Sequence, residues 1–160
     1  MDWQRWVDAG ILGPAPTGRV RVEPTIRRAW ARVGDARDAS LSGEWDTADE
    51  KLRAAFATAG HALVCYHYLD LYGECDFELA EEFAVGYYGK DFVGPLFARA
   101  RRLRELMPLP REIPELTARK VRDCIASSSS FVALVECGTY RKEPVQFFSA
   151  DTPNWYIRQT

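Results

Sequence analysis

The chain has 160 residues, of which 47% are hydrophobic, 12% aromatic and 28% charged, and this composition is typical of a folded domain rather than a disordered chain. At this length we expect a single domain spanning residues 1–160, with one sizeable core. The formal net charge of −2 excludes a strong overall attraction to nucleic acid or to an anionic membrane.

Neither export nor membrane insertion is expected. The opening sequence, MDWQRWVDAGILG, carries acidic residues and tryptophans where a secretory signal needs a basic start and an uninterrupted apolar run. The apolar stretch 54–69 is interrupted by two histidines, so it does not resemble a membrane span. We therefore expect a soluble, cytoplasmic protein, and the excess of arginine over lysine suggests a GC-rich bacterial or phage coding sequence.

The four cysteines have no close pairs and no metal-type spacing. We expect them to be reduced, mostly buried thiols, as is usual in a reducing cytoplasm. They are Cys65, Cys75, Cys124 and Cys137.

The N-terminal quarter predicts two helices and a connector. Trp3 and Trp6 fall on one stripe of a short helix over residues 2–12, which we expect to dock on the core. A Pro-rich extended connector is expected at 13–24. An amphipathic helix with a basic outer face follows at 25–39.

The longest apolar segment predicts a central helix. Thr47 and Glu50 have the spacing of a capping box, so this helix is expected to begin there and to run to Tyr72, with Gly73 as its stop. Gly60, inside it, costs up to about 1 kcal/mol relative to alanine. We therefore expect a neighbouring helix to cross closely at Gly60.

Three further helices are predicted in the C-terminal half. Asp76 is expected to cap an acidic helix that ends near Gly86 and Gly89, and the next helix covers 91–107. A second Pro-rich connector, 108–114, precedes a helix over 115–126.

The segment 127–160 is predicted to be β-rich. Four serines at 127–130 interrupt the helical pattern, and Phe131–Cys137 is rich in valine and phenylalanine, although a helical continuation there stays open. The resulting fold class is α+β and mainly helical, with a bundle of about five to six helices and a small C-terminal antiparallel β segment.

The central helix carries the most reactive side chains. His61 and Cys65 are four residues apart and share a face, whereas His67 lies about 240° around the helix from His61. Zinc would need further ligands, and no CxxC or HxxxH spacing is present, so neither a metal nor another cofactor is expected. His61, His67, Tyr68 and Asp70 could instead line a catalytic or ligand-binding pocket.

Catalytic sequence motifs are missing, since the chain has no GxSxG, GxGxxG or GxxxxGK[ST]. An enzyme is therefore the less favoured interpretation. We predict a small interaction or regulatory protein, of the inhibitor, immunity or adaptor type, that binds a protein partner through segregated acidic and basic surfaces. Nucleic-acid binding through the arginine-rich helix faces is the other alternative. The expected partner-binding residues are Arg27, Arg28, Arg32, Arg99, Arg101, Arg102, Arg104 and Trp155.

Overall fold

The computed structural model describes residues 1–139 and the backbone of two short strands, Val145–Phe147 and Tyr156–Arg158. The described part is mainly helical, which confirms that aspect of the predicted fold class. Its helices are α1 Gln4–Asp8, α2 Val22–Leu41, α3 Trp45–Tyr66, α4 Phe77–Tyr88, α5 Lys90–Leu106 and α6 Glu115–Thr139. None of these helices combines the length and apolar character needed to span a membrane.

Helix α3 is the centre of the bundle, as expected. It packs against α2, α4 and α6. Its fully buried Phe56 lies among three other buried phenylalanines, with ring-centroid distances of 4.6 Å to Phe97, 5.2 Å to Phe131 and 5.3 Å to Phe77. Because these rings come from α3, α4, α5 and α6, one aromatic cluster joins four helices.

The close crossing expected at Gly60 is confirmed. A side chain at Gly60 would place its Cβ 2.7 Å from the Cβ and 3.1 Å from the Cα of Ala80 on α4. No larger residue fits there without separating the two helices. The small pair Gly60 and Ala80 therefore sets the distance between α3 and α4.

The ends predicted for α3 are wrong. The helix begins at Trp45, after Glu44, with no side-chain cap, so the capping box at Thr47 does not form. It ends at Tyr66 and a short strand, β2 Leu69–Leu71, follows. Leu69 and Leu71 pack with the apolar cluster that contains the buried Trp6, and Asp70 lies between them in sequence. This alternation of apolar and polar residues has the two-residue period of a strand rather than the period of a helix.

The predicted connector 13–24 is largely ordered. Strand β1, Leu12–Pro14, pairs antiparallel with β2 so that Gly13 lies opposite Asp70. A 3₁₀ turn, Gly18–Arg21, then leads directly into α2. A two-stranded antiparallel sheet, β1 with β2, therefore lies in the N-terminal half of the chain, where no strand was predicted.

The predicted β-rich segment 127–160 is wrong for residues 127–139, which continue α6. The buried hydroxyls of Ser127, Ser128 and Ser130 donate hydrogen bonds to carbonyl oxygens three or four residues earlier, at 2.5, 2.6 and 3.1 Å. The serines are thus satisfied inside the helix and do not end it. Beyond Thr139, strands β3 Val145–Phe147 and β4 Tyr156–Arg158 pair antiparallel; the other residues there, Trp155 included, lie outside the described residues.

The signals that bound α4 and the connector after α5 are confirmed, whereas the predicted length of α1 is not. The Asp76 carboxylate accepts a hydrogen bond from the Leu79 N–H at 2.7 Å, which confirms it as the cap of α4. Gly89, with φ of 96°, ends α4, and the connector 108–114 separates α5 from α6. At the N-terminus α1 is shorter than expected, because Gly10, with φ of 74°, turns the chain towards β1.

Candidate functional site

The most concentrated group of reactive side chains lies where α3, β2 and the 3₁₀ turn meet. His61 Nε2 forms a hydrogen bond of 2.7 Å with Asp70 Oδ1, which also accepts the Leu71 N–H at 2.8 Å. The other carboxylate oxygen of Asp70 accepts a hydrogen bond from Arg21. Cys65 lies one helical turn after His61 on α3. We call Arg21, His61, Cys65 and Asp70 the Asp70 cluster.

Local backbone features place these residues together. Tyr68 has φ of 60°, a left-handed conformation that turns the chain from the end of α3 into β2 and returns Asp70 to His61. Gly18 lets the 3₁₀ turn lie directly on α3, because a Cβ there would be 2.4 Å from the carbonyl oxygen of Cys65. Arg21, the last residue of that turn, then reaches Asp70.

These contacts and the burial of the cluster determine the protonation of Asp70 and Cys65. Burial alone would raise the pKa of Asp70, but the hydrogen bonds from His61 and the Leu71 N–H, with the nearby His61 and Arg21 charges, hold that pKa below its usual range. Burial, followed by the Asp70 charge, raises the pKa of the Cys65 thiol to about 11. Asp70 is therefore an anion at neutral pH and Cys65 a neutral thiol, which does not suit a cysteine nucleophile.

A solvent-open cleft of about 510 Å³ lies beside the cluster, and His61 forms part of its wall. The cleft is bordered by side chains of both charges from α2, α3 and the segment after β2. Its polar lining residues are Arg32, Glu50, Lys51, Thr58, His61 and Glu74. Such a lining suits a small polar ligand better than an apolar one.

His67 lies apart from His61. Its ring centroid is 5.0 Å from that of Trp3 and 4.9 Å from that of Tyr87, and its Nε2 is buried without a hydrogen-bond partner among the described residues. Burial, and then the positive charges of Arg19 and the N-terminus, lower its pKa. The structure thus joins His61 with Asp70 and leaves His67 in an aromatic box.

The His67 environment leads to a pH-dependent stability. Because the pKa of His67 is lower in the folded state than its ordinary value of about 6.5, the unfolded state binds the proton more tightly. The contribution is fully present above about pH 7 and is lost as the pH falls through 6.5 towards the folded-state pKa. We expect urea unfolding at pH 7.5 and pH 5.0 to show this loss in the wild type, and a smaller loss in His67→Phe. An equal loss in both proteins would assign the pH dependence to another group.

A second feature, on the surface beside this cluster, combines arginine with aromatic rings. The Arg19 guanidinium lies 4.2 Å from the ring centroid of Tyr66 and 4.5 Å from that of Tyr68, and its Nε donates to the Tyr66 carbonyl at 2.9 Å. Val20 is 78% exposed and Tyr68 is 48% exposed. We call Arg19, Val20, Tyr66 and Tyr68 the Arg19 surface.

The comparisons assign no family. No family model matches the chain, and neither a curated protein nor a solved structure matches it significantly. The chemistry of the two sites is therefore the basis for a functional proposal.

Several of the arginines expected to bind a partner are engaged within the chain. Arg27 pairs with Glu23 at 2.5 Å, Arg101 binds both carboxylate oxygens of Glu81 at 2.5 and 2.8 Å, and Arg104 binds Asp49 at 2.8 Å. Arg28 donates to the Thr25 hydroxyl, while Arg99 and Arg102 are exposed on α5. Because Glu81 belongs to α4, the acidic and basic helices are neighbours joined by an ion pair.

The sequence interpretation missed Arg19, Val20 and Arg21, whereas Tyr68 was named for a pocket beside His61. The three missed residues lie in the 3₁₀ turn, inside a segment that its prolines indicated as an extended connector. One usable signal was the alternation of Leu69, Asp70 and Leu71. As a strand it ends the central helix early and brings Asp70 back towards α3.

Proposed function

We propose that this chain is a protein-interaction module that binds an acidic partner through the Arg19 surface. The observation that most supports this proposal is the position of the Arg19 guanidinium against the rings of Tyr66 and Tyr68, next to the exposed Val20. Arginine and tyrosine are enriched among residues that dominate binding energy. A stacked guanidinium also loses less conformational freedom when a partner binds it.

The backbone at Tyr68 supports the same proposal. A bulky residue with φ of 60° costs on the order of 1–2 kcal/mol. Despite this strain its side chain remains about half exposed rather than filling the core. Residues held in sparsely populated backbone conformations cluster at active sites and ligand-binding sites.

The charges around Arg19 define the partner's chemistry. Among the described residues no carboxylate forms an ion pair with Arg19, in contrast to Arg27, Arg101 and Arg104. Its Nε is used by the Tyr66 carbonyl, so the terminal amino groups are the donors for a partner. A carboxylate next to an apolar side chain, the latter resting on Val20, fits this surface. An inhibitor, immunity-type or adaptor role is consistent with such a partner.

The test is capture of the partner by the tagged chain from its native cells, at moderate and high salt, after nuclease treatment. We expect one stoichiometric protein, identified by mass spectrometry. Arg19→Glu should weaken its binding by at least about 30-fold, because a hot-spot residue contributes about 2 kcal/mol or more and each 1.4 kcal/mol is tenfold in affinity. Val20→Asp should weaken it as well, by placing a like charge against the acidic partner.

Arg37→Glu is the matched control, because Arg37 is an exposed arginine on α2 with only a distant ion pair, 3.9 Å from Asp38. This variant should bind as the wild type does. Circular dichroism of each variant verifies the fold. Equal binding by Arg19→Glu and the wild type, or recovery of nuclease-sensitive material alone, would refute the proposal.

A second candidate is a ligand-binding or catalytic pocket in the cleft beside His61. The 2.7 Å hydrogen bond between His61 and Asp70 favours it, since a carboxylate-oriented imidazole can act as a general base. A screen with hydrolase and transferase substrates tests this candidate. Activity lost in His61→Gln but kept in His67→Gln would support it, and equal activity of both variants would refute it.

A further inference from the structure

Three side chains of the Asp70 cluster have the chemistry and the spacing of metal ligands. One ligating atom each of His61, Cys65 and Asp70 lies within 4.8 Å of the other two. Imidazole, thiolate and carboxylate are the three ligand types that proteins use for zinc. This grouping does not depend on the Arg19 surface or on the proposed protein partner.

We infer that His61, Cys65 and Asp70 form a binding site for one divalent ion of the zinc class. Bonds from zinc to nitrogen, sulfur and oxygen are about 2.0–2.3 Å, so tetrahedral ligand atoms are separated by roughly 3–4 Å. The His61–Asp70 pair, now at 2.7 Å, needs to open by up to about 1 Å, and the other separations, all within 4.8 Å, need to close by no more than about 1–2 Å. Side-chain rotations away from a rotamer by about 30° cost on the order of 0.5–1.5 kcal/mol each, which is small beside the free energy of binding an ion.

The backbone already places the three proposed ligands at one face of α3. His61 and Cys65 stand one turn apart on the same face of α3, and the turn at Tyr68 brings Asp70 to that face. Within the described residues this is the one cluster of three such groups. The other histidine, His67, lies in the aromatic box and does not compete for the ion.

The surroundings of Asp70 fit a ligating carboxylate. The Leu71 N–H and Arg21 hold its two oxygens, so the group is oriented before an ion arrives. Hydrogen bonds of this kind to a ligand raise metal affinity by about 10–100-fold. Arg21 also supplies a positive charge. When an ion binds, it displaces the proton of the Cys65 thiol into solvent, and the resulting thiolate and the Asp70 carboxylate together outweigh that positive charge.

The coordination would remain open at one position. Three protein ligands with a water molecule in the fourth position are typical of zinc sites that carry out chemistry, whereas structural sites use four protein ligands. Cys65 is fully buried, while His61 is partly exposed and borders the polar cleft. The fourth position is therefore expected on the cleft side, where a small polar ligand could reach the ion.

The competing explanation is a His61–Asp70 hydrogen bond with an unrelated buried thiol beside it. The two explanations differ in the role of Cys65, because the hydrogen bond needs no sulfur. Cys124 offers a matched control: it is also a buried helical cysteine, and burial raises the pKa of its thiol to about 11 as well. Comparing the two cysteines therefore separates a role of Cys65 in binding the ion from a general effect of replacing a buried cysteine.

The experiment uses the untagged full chain, freed of metal and titrated with Zn²⁺ by calorimetry and with Co²⁺ by absorption spectroscopy. We expect one ion per chain and, for Co²⁺, a thiolate-to-metal charge-transfer band. Cys65→Ser should abolish that band and weaken Zn²⁺ binding at least tenfold, whereas Cys124→Ser should change neither. His61→Gln, at a partly exposed position, should weaken Zn²⁺ binding similarly without disturbing the core.

Two results would overturn the inference. One is the absence of stoichiometric Zn²⁺ binding by the wild type. The other is binding that folded Cys65→Ser and His61→Gln variants retain in full, which would place the ion elsewhere. Should Cys65→Ser fail to fold, the cobalt spectrum of the wild type and the affinity of His61→Gln decide the question. Capture of a protein partner through Arg19 is a separate readout, so failure of one proposal leaves the other testable.

Discussion

Replacing Phe56 with alanine should lower the free energy of unfolding by about 3–5 kcal/mol, the usual range for removing a phenylalanine from a core. Phe56 is fully buried, and its ring contacts those of Phe77, Phe97 and Phe131. The surrounding rings come from three other helices, so they cannot all move into the space left behind. Urea unfolding followed by far-ultraviolet circular dichroism measures the change.

Phe92→Ala is the control for this experiment. Phe92 lies on α5 with 62% of its surface exposed, so its removal should change the free energy of unfolding by no more than about 0.5 kcal/mol. If Phe56→Ala cost no more than Phe92→Ala, the four helices would not converge on Phe56. Helix α6 would then not place Phe131 against Phe56 either.

The parts of the fold that were predictable from the sequence rest on local signals. Asp76 caps α4 through a hydrogen bond three residues away, and Gly89 ends that helix with a positive φ. Gly60 indicated a close helix crossing because glycine is unfavourable in a helix unless something excludes a side chain. In each case the residue acts on its own neighbourhood, so its neighbours in sequence suffice to interpret it.

The C-terminal error arose from contacts that sequence neighbours do not reveal. Serines at 127–130 normally favour turns, but three of these hydroxyls bond carbonyl oxygens of the preceding helical turn. The following apolar run is compatible with either a strand or a helix. In the structure this run continues α6, and its Phe131 contacts Phe56 of α3 and Phe97 of α5. These contacts with distant parts of the chain are not visible in a short apolar run.

Three of the four residues of the Asp70 cluster, His61, Cys65 and Asp70, were singled out from the sequence, and Arg21 was not. The shared face of His61 and Cys65 follows from a four-residue spacing on any helix. Asp70 and Arg21 join them only because Tyr68 adopts a left-handed conformation and Gly18 lets the 3₁₀ turn lie on α3. Both conditions depend on tertiary structure, so the contact between Asp70 and His61 could not be inferred from their spacing in the sequence.

A second large effect is expected at Asp49, a carboxylate on α3 that is 3% exposed. Arg53 approaches it at 3.2 Å and Arg104, from α5, at 2.8 Å. The double variant Arg53→Met/Arg104→Met leaves this carboxylate buried without a counter-ion. We expect it to lose about 3 kcal/mol of unfolding free energy, at the lower end for a broken buried pair because Arg104 is itself largely exposed. Urea unfolding at neutral pH measures the loss.

Two comparisons identify the cause of that loss. Arg27→Met removes an exposed arginine paired with an exposed Glu23, and should cost no more than about 0.5 kcal/mol. Adding Asp49→Leu to the double variant removes the unpaired carboxylate, and should recover most of the lost stability, since an apolar group can replace a buried ion pair. If the triple variant remained as unstable as the double variant, the loss would come from the packing of the arginine side chains. The charge on Asp49 would then contribute little to holding α5 against the helix that carries both His61 and Cys65.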